Sequence, residues 1–309
     1  HVGVPLSILR LPDDCRAAVL ELGMNHAGEI AELASIARPN VGVVTNVGWA
    51  HVENFESIEA VAAAKQELVE SLAADGVAVL NADDPRTLRM RDAHRGRSVT
   101  FGIESDADLR ATSVELGAEG ARFAVDGVAF ESPFPGRHGI LNVLAGIAVA
   151  REFGIPPSRL PEAVRSLSAG KMRGERIVRG GITIWNDCYN SNPEAVRSMI
   201  DVLGASPARR RIAVLGEMLE LGRKAEPLHR EVGSYVAGRG IDVLIGIRGA
   251  ARHMVDEAVR AGLSGAAYFF DDPQTAGAFV RQMLREGDAV LFKGSRGVAV
   301  EKALHEVLR

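Results

Sequence analysis

The sequence predicts an α/β fold of two domains, and three observations lead to it. Short β-branched runs alternate with helical patterns along almost the whole chain. The strand runs are nearly continuous in apolar residues, as expected of a parallel sheet covered by helices on both faces. Residues 107–133 break the pattern with short alternating segments punctuated by glycine (ARFAVDGVAFES), which read as antiparallel hairpins. The expected architecture is a first domain, 1–170, with a mostly parallel sheet and a small antiparallel one. A Rossmann-like doubly wound domain follows, 171–309.

Taken in order, residues 17–22 (AAVLEL), 41–47 (VGVVTNV), 77–81 (VAVLN) and 98–101 (SVTF) read as strands. Residues 27–37, 57–73 and 84–93 carry helical periodicity, and further helices are expected near 140–153 and 161–168. SAGKMRG, 168–174, is polar and contains glycine, so it reads as the linker. Alternation then resumes, with strands at 175–179, 182–186, 211–215, 241–246, 267–270 and 288–292. The matching helices are 194–204, 228–237, 249–261, 273–285 and 298–308. In NDCYNSNP, 186–193, Asn192 is placed to cap a helix that begins with Pro193.

Composition excludes several classes. Hydrophobic residues make up 47% and charged residues 25% of 309, the ordinary globular range. The net charge is −4 with no basic run, so a nucleic-acid partner is not expected. No apolar stretch approaches the roughly 20 residues that span a bilayer, and no signal peptide is visible. Cys15 and Cys188 form neither a disulfide framework nor a zinc pattern. A cytoplasmic monomer is the expectation.

Ligands in open α/β sheets bind beyond the carboxyl ends of strands. Three unusual clusters follow predicted strands: ELGMNHAGE (21–29), TNVGWAH (45–51) and NDCYNSNP (186–193). Glu21 ends an apolar run, where a buried carboxylate needs a partner or a cation; a strand-end Glu turned to solvent fits equally well. His51 alone reads as a polar loop residue, and Lys65 alone as a surface lysine lying along an apolar face. Together the three could border one cleft. KGSRG, 293–297, sits at a strand end and could hold an anion through its backbone N–H groups and Lys293, or serve only as a turn. LGEMLELG, 215–222, reads as structural.

ELGMNHAGEI, RPNVGVVTNVGWAHVENF, AAAKQELVESL, NADDPR, FPGRHGILNVLAG, NDCYNSNP, VLGEMLELG, LHREVG and LFKGSRG occur in this order over nearly the whole chain. The set resembles the Mur ligase family, ATP-dependent amide ligases of peptidoglycan synthesis. The resemblance implies ATP and Mg²⁺ as cofactors, with Glu21, His51 and a carbamylated Lys65 as metal ligands and catalytic groups. It places His138 and Asn142 on the adenine side, with Asn46 also in the nucleotide set. Arg173 falls near the nucleotide, and Asp187 on the ribose. Tyr189, Asn190, Asn192, Lys293, Ser295 and Arg296 would border the substrates. The YNxNP and KGSRG motifs imply UDP-MurNAc-tripeptide and D-Ala-D-Ala as those substrates.

The chain departs from the family at three points. No GxxxxGK[ST] phosphate loop occurs in the 309 residues. The expectation is therefore the central and C-terminal part of a longer enzyme, inactive in this form. His138–Gly139 stands where the family reads His-Asn, and Asn186–Asp187 where it reads a pair of Asp. Two alternatives stay open: a sibling ligase adding a single amino acid, and a non-catalytic nucleotide- or partner-binding protein.

Overall fold

The structure, a computed structural model, describes residues 2–49, 52–117 and 119–309. The chain divides into two units. One comprises His1–Val114, Phe123–Phe130 and Leu141–Glu162; the other comprises Glu115–Arg122, Glu131–Ile140 and Ala163–Arg309.

In the first unit, helices α1 (Gly3–Leu9) and α2 (Glu29–Ala37) precede strand β1 (Val41–Val44). Then come α3 (Ile58–Glu70), β2 (Val77–Asn81), α4 (Pro85–Arg89), β3 (Arg97–Gly102) and β4 (Leu109–Arg110). The four strands form a parallel sheet in the order β1-β2-β3-β4, with Val43 opposite Val79 and Val79 opposite Val99. The β2 interior is wholly buried, from Ala78 to Asn81, because helices cover it and no side chain has a wet face to use. Ser57 caps α3 by accepting from Ala60 N at 3.1 Å, and Asp84 caps α4 from Arg86 N at 2.9 Å. Residues 112–132, whose segments are divided between the two units, give β5 (Thr112–Gly117), β6 (Gly120–Val125) and β7 (Val128–Ser132), a small antiparallel sheet in that order. Phe123 stacks on Phe130 at 5.6 Å inside it. Helices α5 (Gly136–Glu152) and α6 (Pro161–Arg165) follow.

The second unit contains a six-stranded sheet. Strands β8 (Glu175–Arg179) and β9 (Ile182–Asp187) form an antiparallel pair. Helix α7 (Pro193–Ala205) leads to β10 (Arg210–Gly216), and α8 (Ala225–Ala237) to β11 (Val243–Ile247). Helix α9 (Ala251–Arg260) leads to β12 (Ala266–Phe270), α10 (Pro273–Met283) to β13 (Asp288–Lys293), and α11 (Glu301–Leu308) ends the chain. The order is β12-β11-β10-β13-β9-β8, all parallel except β8. The chain moves outward from β10 to β12 and returns to insert β13 between β10 and β9. That reversal is a topological switch point, where a crevice opens beyond the carboxyl ends of the strands. All six β13 residues are buried, and Ile184, Val214, Ile245, Val290 and Phe292 share one core. Each fully buried side chain of this size contributes about 1.5–3 kcal/mol relative to exposure.

Three expectations are corrected. Residues 17–22 are not a strand: 17–19 and Glu21 are exposed, and Val19 is 97% exposed. An apolar run becomes a strand only when a neighbour takes its backbone groups, and β1 pairs only with β2 among the described residues. Helix α1 went unread, because seven residues with an internal proline show too little periodicity. The helix expected at 298–308 starts later, at Glu301, after a 3₁₀ turn and Ala299 in the left-handed region at φ 59°.

Candidate active site

Each unit carries its own cluster of organised loops. In the first unit, ELGMNHAGE is shaped by two carboxylates that collect backbone N–H groups. Glu29 accepts from Asn25 N at 2.6 Å and His26 N at 3.2 Å. Glu67, reaching from α3, accepts from Gly28 N at 2.7 Å and Ala31 N at 3.1 Å, serving donors that α2 leaves open at its start. Gly28 has φ 89°, a turn that a side chain would strain. The TNVG segment after β1 is held in the same manner. Asn81 Nδ2 donates to Thr45 O at 2.8 Å, and Asp84 Oδ2 accepts from Val47 N at 2.6 Å. Lys65 Nζ donates to Asn46 O at 2.7 Å.

Glu21 lines a cleft of about 860 Å³ bordered by α1 and by Asn25 and Glu29. Glu21 is exposed, which is the solvent-facing one of the two readings its sequence left open. Without a strand at 17–22, nothing encloses it. His51, the expected second ligand, lies outside the described residues. Mg²⁺ takes oxygen donors, and a protonated amine such as Lys65 has no lone pair to offer. Among the described residues no group of three or more His, Cys, Asp and Glu is placed to hold an ion. Of the expected trio's described members, Glu21 offers carboxylate oxygens, and Lys65 would offer oxygens only as a carbamate.

The second unit's cluster occupies the switch-point crevice. Three turns meet there: NDCYNSNP after β9, GEMLELG after β10 and KGSRG after β13. Asp187 and Lys293 are directly opposite one another in the β9–β13 register. Lys293 is buried; its Nζ donates to Asp187 Oδ2 at 2.6 Å and to Asn190 O at 2.8 Å. Ser295, also buried, accepts from Leu219 N at 2.9 Å and donates to Ser191 O at 3.4 Å, tying all three turns together. Asn192 uses its side chain as the α7 cap, accepting from Ala195 N at 2.8 Å. Asn190 Oδ1 accepts from Ser191 N at 2.8 Å. Arg296 is exposed and donates to Glu301 at 3.0 Å.

Tyr189 is exposed and carries the guanidinium of Arg173 over its ring at 4.0 Å, a cation–π contact. Tyr189 N also donates to Met172 O at 3.1 Å. His138, in the first turn of α5, shares a 2.5 Å hydrogen bond between Nδ1 and Ser198 Oγ. Burial pushes its imidazole below the usual range; Asp187 pulls it back up and Lys293 pushes it further down. The ring is therefore neutral at neutral pH. Gly139 departs from the family pattern for a packing reason. A Cβ there would stand 2.7 Å from Phe134 Cβ and 2.8 Å from Phe134 O, so an asparagine would enter this turn only if Phe134 shifted. Asn142 is exposed in the other unit.

The crevice is also where the second unit strains its backbone. Its non-glycine residues with positive φ, among those described, are Met172, Glu220, Arg248 and Ala299. Each lies in a segment at the carboxyl rim of the parallel strands or at the start of the antiparallel β8. Such outliers cost about 1–3 kcal/mol each and collect at functional sites. Sequence reading missed His229. It is fully buried on α8, accepts from Met218 N at 2.9 Å through Nε2, and donates from Nδ1 to Ala225 O at 2.6 Å. It holds the GEMLELG turn in place. A histidine next to Leu228 and three residues before Val232, on the apolar face of a periodic helix, was the available signal.

A doubly wound sheet with strained, interlocked turns at its switch point defines a ligand-binding α/β protein. Comparison with known proteins narrows that class. Residues 1–150 match the Mur ligase middle domain, and residues 172–296 match the Mur ligase glutamate ligase domain. The UDP-N-acetylmuramoyl-tripeptide–D-alanyl-D-alanine ligase of Bacillus subtilis (strain 168) is 30% identical over the whole of this chain, which spans 68% of that protein. The Synechocystis counterpart is 33% identical, again over the whole chain, which spans 66% of its length. Among solved structures, MurF from Acinetobacter baumannii aligns with a TM-score of 0.91 at 26% identity, covering 99% of this chain and 68% of that one. MurF ligase from Thermotoga maritima, solved in complex with ADP, aligns with a TM-score of 0.85 at 28% identity, covering 99% of this chain and 70% of that one. The chain belongs to the Mur ligase family.

Proposed function

We propose that this chain supplies the central and C-terminal parts of an ATP-dependent ligase that joins D-Ala-D-Ala to UDP-MurNAc-tripeptide. The single observation behind this reading is the interlocking of the NDCYNSNP and KGSRG turns at the switch point, through Lys293 with Asp187 and Asn190 and through Ser295 with Ser191. The names of its relatives point to the same pair of substrates.

The chemistry follows from the weakness of a carboxylate as an electrophile. Its oxygen takes the γ-phosphoryl group of ATP, and ADP leaves. The dipeptide amine then attacks the acyl carbon, the new amide forms, and inorganic phosphate departs as the nitrogen loses a proton. Little covalent work falls to the protein, so positioning and charge stabilisation carry the rate. In this reading Asp187 takes the ribose, His138 and Asn142 the adenine side, and Arg173 the phosphate end. Asn46, Glu21, His51 and Lys65 serve the phosphoryl-transfer side. Mg²⁺ belongs to the same reading; it would neutralise phosphate charge, and Lys65 would join its ligands only as a carbamate, which presents oxygens. Such an enzyme works in the cytoplasm on soluble precursors. Among the described residues no helix is long and apolar enough to cross a membrane.

The test is substrate dependence in the polypeptide that carries this chain. ADP and phosphate should appear only when ATP, UDP-MurNAc-tripeptide and D-Ala-D-Ala are all present. Equal turnover with a single amino acid in place of the dipeptide would make it a sibling ligase. ADP binding with no turnover in any mixture would make it a non-catalytic nucleotide-binding protein.

A further inference from the structure

Lys293 stands out because the sequence left it either holding an anion or serving a turn, and the fold pairs it with Asp187 and the backbone of Asn190. Only 2% of the residue is exposed. Two of its three N–H donors go to Asp187 Oδ2 and Asn190 O, at 2.6 and 2.8 Å. The partnership is built into the sheet, since Lys293 and Asp187 are opposite each other in adjacent parallel strands. The second donor closes the turn that follows Asp187, and Tyr189 lies within it. Close packing leaves the lysine no slack: a Cβ on neighbouring Gly294 would meet Val300 at 2.4 Å.

We propose that Lys293 is a positioning residue for the nucleotide. It fixes Asp187 Oδ2 and the 187–190 turn, so that Oδ1 and the Tyr189 ring face the ligand. It does not contact the amine substrate. This rests on the nucleotide role proposed above for Asp187. The physical need is plain. A carboxylate at the end of a buried strand is costly without a partner, and a free Asp187 would turn away towards water. A lysine anchored on the opposite strand keeps it aimed without any ligand present.

The test is a double-mutant cycle read by ADP calorimetry and by steady-state kinetics, with Lys293→Met, Asp187→Asn and the pair. Lys293→Met should weaken ADP binding about tenfold or more, as the loss of one member of a buried charge pair does. Asp187→Asn should weaken it to a similar degree, and the pair should be no worse than the weaker single variant. The KM for ATP should rise while that for D-Ala-D-Ala stays within about twofold, a split that general loosening would not produce. If Lys293→Met fails to fold, Lys293→Gln keeps a donor within reach of both partners and should show the same split, more weakly. A raised dipeptide KM with unchanged ADP affinity, in either variant, would overturn the proposal and return Lys293 to the amine substrate. Additive effects in the pair would overturn it too. If the unaltered protein binds no ADP, the nucleotide reading itself falls, and the role of Lys293 falls with it.

Discussion

The loop clusters of the two units are organised in opposite ways. In the second unit the polar side chains at the strand ends are already engaged: Lys293 with Asp187, Ser295 with the backbone of Leu219, and Ser198 with His138. In the first unit the residues that shape the loops are supporting ones. Glu29, Glu67 and Asp84 collect backbone N–H groups, while Glu21 faces the cleft exposed. The difference follows burial. A charge at the end of a fully covered strand must be paired before any ligand arrives, whereas a charge at an open rim stays hydrated and can wait for one.

The largest test of this contrast is in the cores beneath the loops. Phe292→Ala, in the middle of buried β13, should cost about 3–5 kcal/mol of unfolding free energy in urea. Val19→Ala, at a residue 97% exposed, should stay within about 0.5 kcal/mol. A comparable loss at both would show that residues 17–22 are packed against something in solution, and the contrast would break.

Next come the helix caps, which should not distinguish the units at all. Asn192→Ala removes the cap of α7 and Ser57→Ala that of α3; each should lower stability by about 1 kcal/mol. Thermal melts that show one cap worth several times the other would mean that the cap's loop, and not the helix end, carries the effect.

The smallest expected effect is one of pH, and it belongs to the second unit. Burial lowers the His229 imidazole from its usual 6.5. The unfolded chain then binds more protons than the folded one below that point, so stability rises with pH in that window. It should be complete above about pH 6.5 and fall as acidification proceeds towards the lowered native value. His138 acts in the same direction, through burial first. Melting temperatures followed from pH 7.5 to 5.5 should decline, and His229→Gln should flatten the curve. An unchanged slope in that variant would assign the decline to other groups.

Much of this was legible in the residues. Nearly continuous apolar runs announced β2, β10, β11 and β13 because a strand covered on both faces has no polar face to show. Asn192 before Pro193 marked the start of α7, since both residues act locally. The strand expected at 17–22 failed because its apolar pattern says nothing about whether a neighbour is available.

By itself, then, the sequence determined the α/β class, the alternation of strands and helices, the Asn192 cap of α7 and the family. Each of these rests on local periodicity or on short motifs read in order. Only the tertiary structure decided who partners whom. Lys293 and Asp187 lie 106 positions apart, and only the β9–β13 register puts them face to face. The burial of His229 against Met218 N and the crowding of Gly139 by Phe134 likewise show only in the folded chain. Opposition across a sheet is a property of the packed chain, set by a register between strands that no window of neighbouring residues contains.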